Sequence, residues 1–427
     1  MDVIVLGLML LSLTIWLGLL CFWGQFWRTD QQLEVETLYT TSLQSLPAVC
    51  AVVPARNEAE LISASLRSLL LQDYPGSFNV FLVDDRSTDR TANFAEGVAH
   101  AVGKPQQLHI ISGETLPNGW SGKLWAVEQG IKSASLFAPD YFLLTDADIK
   151  HDPGNLRRLV AKAVQEDLDL VSVMVRLRCE SFWEKLLIPA FVFFFQKLYP
   201  FRWVNNPNNA TAAAAGGSIL IAREALERIG GIQVIRQALI DDCALADAVK
   251  KSGGVGSREW GVGKQESRRD NHSQCPMPNA PCPMPNQGRI WLGLSTLTCS
   301  LRPYDSLATI WDMVARSAYT QLNYSPLLLL GTLVGMPLIY LVPPVCVILG
   351  AVWSNWAIAF TGLLGWLLMT FAYYPTIRFY KCSPWLAFSL PAIAFLYTLM
   401  TLDSALRHWQ GRGGAWKGRV YPNSDNL

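Results

Sequence analysis

The chain has 427 residues, enough for two or three domains; 51% are hydrophobic, only 16% are charged, and 16 are tryptophan. That is too apolar for an ordinary soluble protein of this size, so membrane segments are expected. A net charge of +1, without a basic stripe interleaved with aromatics, leaves no footprint for nucleic acid, which is not an expected partner. The nine cysteines, at positions 21, 50, 179, 243, 275, 282, 299, 346 and 382, form no Cys-x-x-Cys, and none of the five histidines is spaced to complete a zinc site with them. Free thiols in a reducing compartment are the simpler reading.

Val3 to Trp23 carries no charge and is long enough to cross a bilayer as a helix, so residues 1–27 read as an uncleaved transmembrane anchor. Arg28 just after it favours a cytoplasmic position for the next domain. From Leu46 to about Arg178 short apolar runs alternate with helical patterns. Candidate strands are 48–53, 80–83, 108–111, 141–144 and 170–175, with starts about 30 residues apart, as in βαβ units. Leu61/Ile62, Ser65/Leu66 and Leu69/Leu70 make one apolar helix face between the first two. Near-continuous hydrophobicity in the strands predicts a mostly parallel sheet covered on both faces, with the strands' carboxyl ends on one edge.

That edge collects polar residues. After the first strand comes Pro54-Ala-Arg-Asn-Glu58, after the second Asp84-Asp-Arg-Ser-Thr-Asp-Arg-Thr91, and after the fourth Asp146-Ala-Asp148. Ser87 or Thr88 could cap the next helix; Asp84 and Asp85 precede any helix and lack that explanation. Two carboxylates at a strand end suit a hard divalent cation shared with substrate phosphates. Together the three stretches resemble the nucleotide-binding half of family 2 glycosyltransferases, whose fold is called GT-A: a Rossmann-like α/β domain with a mostly parallel sheet. The resemblance implies that Pro54, Ala55, Arg56, Glu58 and Asp85 or its neighbour Asp84 meet a nucleotide sugar, with Asp85 or Asp84 on base and ribose. It implies that Asp146, Ala147 and Asp148 hold ribose and the metal, Mg²⁺ or Mn²⁺, on the diphosphate.

Gly119-Trp-Ser-Gly-Lys-Leu124 is not a P-loop, because Pro117 and Leu124 stand where that motif needs Gly and Ser or Thr. In the family a lysine beginning the helix before the Asp-x-Asp strand lies near the donor phosphates, which makes Lys123 a candidate; a solvated helix-start lysine is the alternative. Residues 181–200 are aromatic-rich, interrupted by Pro189 and charged at both ends, and their apolar core is too short to span. An interfacial segment that brings a lipid next to the catalytic edge is preferred to an ordinary core helix. Gly216 and Gly217 can allow close approach of a ligand or simply make a tight turn. Leu239-Ile-Asp-Asp-Cys-Ala-Leu245 resembles the family's acidic-Asp-x-x-Leu motif, in which the second acid, here Asp242, is the general base, with Asp241 in the usual Glu place. Inverting transfer needs such a base to deprotonate the attacking hydroxyl.

Residues 255–287 are rich in Gly, Pro and charge and repeat Cys275-Pro-Met-Pro-Asn279 as Cys282-Pro-Met-Pro-Asn286, which reads as a disordered insertion. The Gln-x-x-Arg-Trp of processive family members is absent. Arg302 and Arg316 are secondary candidates for phosphate contact. No charge or histidine occurs from Ser317 to Ile377, which accommodates the spans 327–353 and 356–374. A third run, 385–402, would export the basic tail, 405–427, if it crossed; it is either interfacial or re-entrant, bent at Pro391, or breaks the positive-inside tendency.

The expected architecture is therefore an anchor over 1–27, a GT-A domain over 46–320 and a membrane region of two or three helices over 326–404. The expected function is an inverting, membrane-bound hexosyltransferase passing a sugar from a nucleotide sugar, a UDP-sugar by preference, to a lipid acceptor. Its motifs and membrane tail look closest to the hopene-associated glycosyltransferases. The alternatives are a processive polysaccharide synthase and a non-catalytic membrane scaffold that keeps a nucleotide-binding fold.

Overall fold

The computed structural model describes residues 2–33, 46–253, 288–412, 415–416 and 419–420. The expected insertion, 255–287, and 11 of the 23 residues of the basic tail, 405–427, lie outside them. In chain order the elements are α1 (Asp2–Phe22), β1 (Val49–Ala55), α2 (Ile62–Leu70), β2 (Phe78–Asp84), α3 (Thr91–Ala101), β3 (Leu108–Ser112), α4 (Gly122–Ala134), β4 (Tyr141–Leu144), β5 (Ile149–Lys150) and α5 (Asn155–Gln165). There follow β6 (Leu170–Arg176), α6 (Phe182–Leu198), α7 (Phe201–Val204), β7 (Ile219–Ala222), α8 (Arg223–Arg228), α9 (Asp241–Ser252) and β8 (Ile290–Ser300). Last come α10 (Leu307–Ala315), α11 (Ala318–Gln321), α12 (Pro326–Met336), α13 (Val342–Val352), α14 (Trp356–Phe379) and α15 (Leu390–Trp409).

The strands form one sheet in the order β3-β2-β1-β4-β7-β6-β8-β5. It is mostly parallel, with β7 antiparallel to both neighbours and β5 antiparallel to β8. Every residue of β1 is buried, as expected for a strand covered on both faces. Alternate residues feed two cores: Cys50 and Val52 pack with Leu124 and Val127 of α4 and Leu245 of α9, whereas Val49, Ala51 and Val53 pack with Leu66 and Leu69 of α2 and Leu159 of α5. Because β7 runs backwards, its start, Gly216–Ser218, arrives at the edge where β1, β2, β4 and β6 end.

Two local expectations are corrected. Ser87 and Thr88 do not cap α3, whose N-cap is Arg90 in the left-handed region (φ 68°). Instead Asn57 N donates to Ser87 Oγ (2.9 Å) and Thr88 N to Asn57 Oδ1 (2.9 Å), tying the loops after β1 and β2 together. The second correction concerns 181–200, where α6 runs unbroken through Pro189. Its Ser181/Glu184 capping box fixes the start, and Ile188 and Val192 join the sheet core while Leu187, Ala190 and Phe193 pack against Trp16, Tyr373 and Tyr397 of the apolar helices. Burial on both faces outweighs the one hydrogen bond a proline removes. The expected interfacial segment is thus a junction helix covered by protein, with Phe182 and Leu198 exposed at its ends.

Among the described residues four helices are long and apolar enough to cross a membrane: 4–22, 326–352, 356–379 and 384–409. Pro343 lacks the N–H that would bond the Ile339 carbonyl, and that oxygen accepts from Trp16 Nε1 of α1 (2.8 Å), as a buried carbonyl in an apolar medium requires. Pro391 sits in the first turn of α15, where its missing N–H has no helical partner to lose.

Candidate active site

The loops at the carboxyl edge of the sheet bring distant carboxylates together. Lys123, at the start of α4, extends its Nζ between Asp146 Oδ1 (2.9 Å) and Asp241 Oδ2 (3.1 Å). Asp148 is gripped from the other side: Arg302 Nε donates to its Oδ2 (2.7 Å) while Arg302 Nη2 donates to Glu58 Oε1 (2.6 Å). Asp242, in the first turn of α9, accepts from Gly216 N on Oδ2 (2.8 Å) and from Cys243 N on Oδ1 (2.8 Å). The Asp-x-Asp turn, the Gly216 turn and the α9 start therefore surround one spot.

A cavity of about 410 Å³ opens there, lined by Pro54, Glu58, Lys123, Asp146, Ala147, Asp148, Asp241, Arg302 and Arg316 among others. Asp242 and Gly216 line a smaller hollow of about 30 Å³ that Lys123 and Asp146 share. Ala55, Arg56, Asp84 and Asp85 lie at the neighbouring β1/β2 edge outside both. There Arg56 Nη1 donates to the Asp85 carbonyl (2.7 Å), Asp85 is 1% exposed, and Asp84 Oδ1 accepts from Ser87 N (3.1 Å). Gly217 lines neither hollow. A Cβ there would stand 2.8 Å from Val175, so this glycine serves packing, whereas a Cβ on Gly216 would point among Asp242, Lys123 and Asp146.

The electrostatics follow from burial. Asp242 has its pKa pushed up to about 6, first by loss of solvent and then by the neighbouring Asp241 charge. Burial likewise raises Asp146, and Asp148 adds to the effect, against the opposing pull of Lys123. Burial disfavours the Lys123 ammonium, yet Asp146, Asp241 and Asp242 outweigh it and keep it protonated well above its ordinary range.

Among the described residues no three His, Cys, Asp or Glu side chains converge as a closed metal cage. Asp146 and Asp148 nevertheless fit a hard cation that takes its remaining ligands from water and a diphosphate. Among the described residues six acids, Glu58, Asp146, Asp148, Asp241, Asp242 and Asp312, line the two hollows against Lys123, Arg302 and Arg316, an imbalance that a divalent cation offsets.

The sequence made Arg302 a secondary candidate for phosphate contact; the structure pairs it with Asp148 and Glu58. Tyr304, Thr309, Asp312 and Met313 also line the large cavity and were not anticipated. The Ser306-x-x-Thr309 cap of α10 was readable, but not which face of that helix meets the site.

Residues 50–230 match the family described as Glycosyl transferase family 2 and form a domain of that kind, spanning β1 to α8. A beta-monoglucosyldiacylglycerol synthase of Synechocystis is 27% identical over 207 residues, 47% of this chain and 39% of the relative. An undecaprenyl-phosphate 4-deoxy-4-formamido-L-arabinose transferase of Enterobacter is 29% identical over 151 residues, 34% of this chain and 42% of the relative. The chain spans less than half the length of these curated relatives. In fold it resembles a Pyrobaculum calidifontis mannosyltransferase solved with GDP-Man and Mn²⁺, with TM-score 0.51 and 18% identity over 95% of this chain and 99% of the other.

Proposed function

We propose that this chain is a multi-pass membrane glycosyltransferase that moves one sugar, with inversion, from a nucleotide sugar to a lipid hydroxyl. The single observation that carries the reading is Asp242: a carboxylate with raised proton affinity, held by a backbone N–H and facing Asp146 across the Lys123 ammonium. Asp242 takes the proton of the attacking hydroxyl, and its pKa near 6 makes it a competent base at neutral pH. Gly216 N–H fixes its carboxylate, and Lys123 keeps Asp146 and Asp241 from drifting apart. Asp85 and Arg56 receive the nucleoside at the β1/β2 edge. Asp146 and Asp148 hold the divalent cation, which when bound stabilises negative charge on the departing diphosphate.

The printed names of the two relatives, an undecaprenyl-phosphate transferase and a diacylglycerol-glycolipid synthase, support a lipid acceptor. The four apolar helices support a membrane location. A UDP-sugar donor, a hopanoid-related pathway and a cytoplasmic catalytic domain complete the proposal, resting on the motif resemblance and on Arg28.

The test is incubation of membranes containing the protein with a panel of radiolabelled nucleotide sugars, with Mn²⁺ or EDTA, followed by lipid extraction. A lipid carrying one labelled sugar, lost with EDTA, is expected. Asp242→Asn and Asp148→Ala should each lower transfer by at least about 100-fold. Full turnover by both purified variants would remove Asp242 and Asp148 from these roles, and no labelled lipid from the parent protein with any donor would make it the non-catalytic scaffold instead.

A further inference from the structure

Behind the site, four polar side chains between 0% and 3% exposed form a line of hydrogen bonds. Thr298 Oγ1 donates to Asn155 Oδ1 (3.0 Å), and Asn155 Nδ2 lies 3.1 Å from His151 Nδ1. His151 Nε2 lies 3.0 Å from Thr145 Oγ1, whose hydroxyl donates to the Gly217 carbonyl (2.7 Å). The directions are forced. The Gly217 carbonyl can only accept, so the Thr145 proton goes there and the Thr145 oxygen must accept from His151 Nε2–H. The Asn155 amide nitrogen can only donate, so His151 Nδ1 must accept. The ring is therefore neutral with its proton on Nε2, and burial pushes its pKa down to about 3.

Each point of attachment is part of the site. Thr145 directly precedes Asp146. Gly217 follows Gly216, whose N–H holds Asp242. Thr298 lies on β8 just before Ser300 and Arg302, and Arg302 grips Asp148. His151 itself is fixed from the far side, its backbone N donating to Ser68 Oγ of α2 (2.9 Å). Without the imidazole, the segment carrying Asp146 and the turn holding Asp242 would share only the Thr145–Gly217 contact within this line.

We propose that His151 is a positioning residue, whose imidazole joins Asn155 to the Thr145–Gly217 contact and so sets the spacing between the Asp146/Asp148 pair and Asp242. The inference rests on the glycosyltransferase reading of the site. A misplacement of about 1 Å between donor and base can cost about 100-fold in rate, while the donor still binds.

The experiment uses the full chain in detergent. His151→Phe, which keeps the ring volume, and Thr145→Val, which keeps the side-chain shape, are compared with Thr145→Ser, which keeps the hydroxyl. His151→Phe and Thr145→Val should lower kcat about 10- to 100-fold with donor KM changed by less than about twofold. Thr145→Ser should retain kcat, and the double variant should be no worse than the poorer single one, since both break the same line. Spectra of ¹⁵N-ring-labelled histidine, with His151 assigned by its loss in His151→Phe, should show a neutral Nε2–H ring down to about pH 5, well below the ordinary titration near 6.5. Unchanged kcat in folded His151→Phe or Thr145→Val, additive losses in the double variant, or a His151 ring protonated on Nδ1 would each overturn the proposal. A parent protein that transfers no sugar would overturn the functional reading instead, and the ring spectrum would still decide whether the line exists.

Discussion

Asp242 and Gly216 show what one residue does here and what the sequence discloses of it. Asp242 acts as a base only when ionised. Its pKa near 6 lies above the ordinary carboxylate value, so it is protonated below about pH 6. Turnover should fall as pH drops through about 6, approaching tenfold per unit, and a kcat/KM profile of the parent protein checks this. A flat profile down to pH 5 would remove Asp242 from the role. The same raised value means that ionising Asp242 works against folding, so its contribution to the parent's stability should be present below about pH 4 and be lost as pH rises through about 6. Gly216→Ala should fold normally and lose transfer, because its methyl would enter the hollow beside Asp242 at ordinary contact distance, 3.5 Å. Gly217→Ala should lower the unfolding temperature, since its Cβ would stand 2.8 Å from Val175. Thermal unfolding and turnover of the two variants separate these outcomes. In the sequence the two glycines were indistinguishable, and so was the environment of Asp242, which depends on segments from Lys123 to Gly216 that only folding brings together. Asp146-Ala-Asp148 was legible because a buried strand delivers it locally.

At the level of elements, β1 to β4 were legible to within one or two residues; β1, β2 and β4 are buried parallel strands, which write themselves as short continuous apolar runs, and β3 is a half-exposed edge strand. Antiparallel β7 was not, because four apolar residues do not encode direction. α6 was misread as broken because proline's local penalty is visible in sequence and two-sided burial is not. Its start depends on Glu184, fully buried, which accepts from the backbone N–H groups of Tyr304 (2.8 Å), Glu180 (2.8 Å) and Ser181 (2.9 Å) and pairs with Arg178 (3.0 Å). Burial alone would raise its pKa; the three N–H groups and Arg178 outweigh it, and the net shift is downward. A depressed carboxylate contributes stability that is present above its ordinary value and lost as pH falls through the folded one. Glu184→Gln should therefore destabilise the protein by about 2 kcal/mol at pH 7, with the difference shrinking below about pH 4. Denaturant unfolding at the two pH values measures it, and equal stability at pH 7 would refute the role. Since Tyr304 lines the cavity, the same contact ties α6 to the site.

The arrangement of the whole molecule bears on the conflict the sequence left open, a last apolar run whose crossing would export a basic tail. The chain leaves the catalytic side at Tyr380, whose carbonyl accepts from Arg176 at the end of β6 (3.2 Å). It then descends beside α14: Trp366 Nε1 donates to the Phe388 carbonyl (3.1 Å), at a residue about 20 Å along the helix from Phe379 at 1.5 Å per residue. From there α15 runs back. Ser404 Oγ accepts from Tyr319 N (3.0 Å), Asp403 from Trp311 Nε1 (2.7 Å), and Arg407 pairs with Asp312 of α10 (2.7 Å), which lines the catalytic cavity. Both ends of 380–409 thus meet the same face of the catalytic domain, although the last helix is long enough to span. Length and hydropathy could not reveal this, because a returning helix and a crossing one have the same composition. On the multi-pass reading proposed above, α1, the α12–α13 pair and α14 would cross and the last run would be re-entrant, which would keep Arg407 and Arg412 on the side of the catalytic domain, as the positive-inside tendency asks. In sealed vesicles an epitope inserted at Gly103–Lys104 of the catalytic domain and one fused after Leu427 should be reached by antibody from the same side, or both be protected. Access to one epitope without the other would show that α15 crosses.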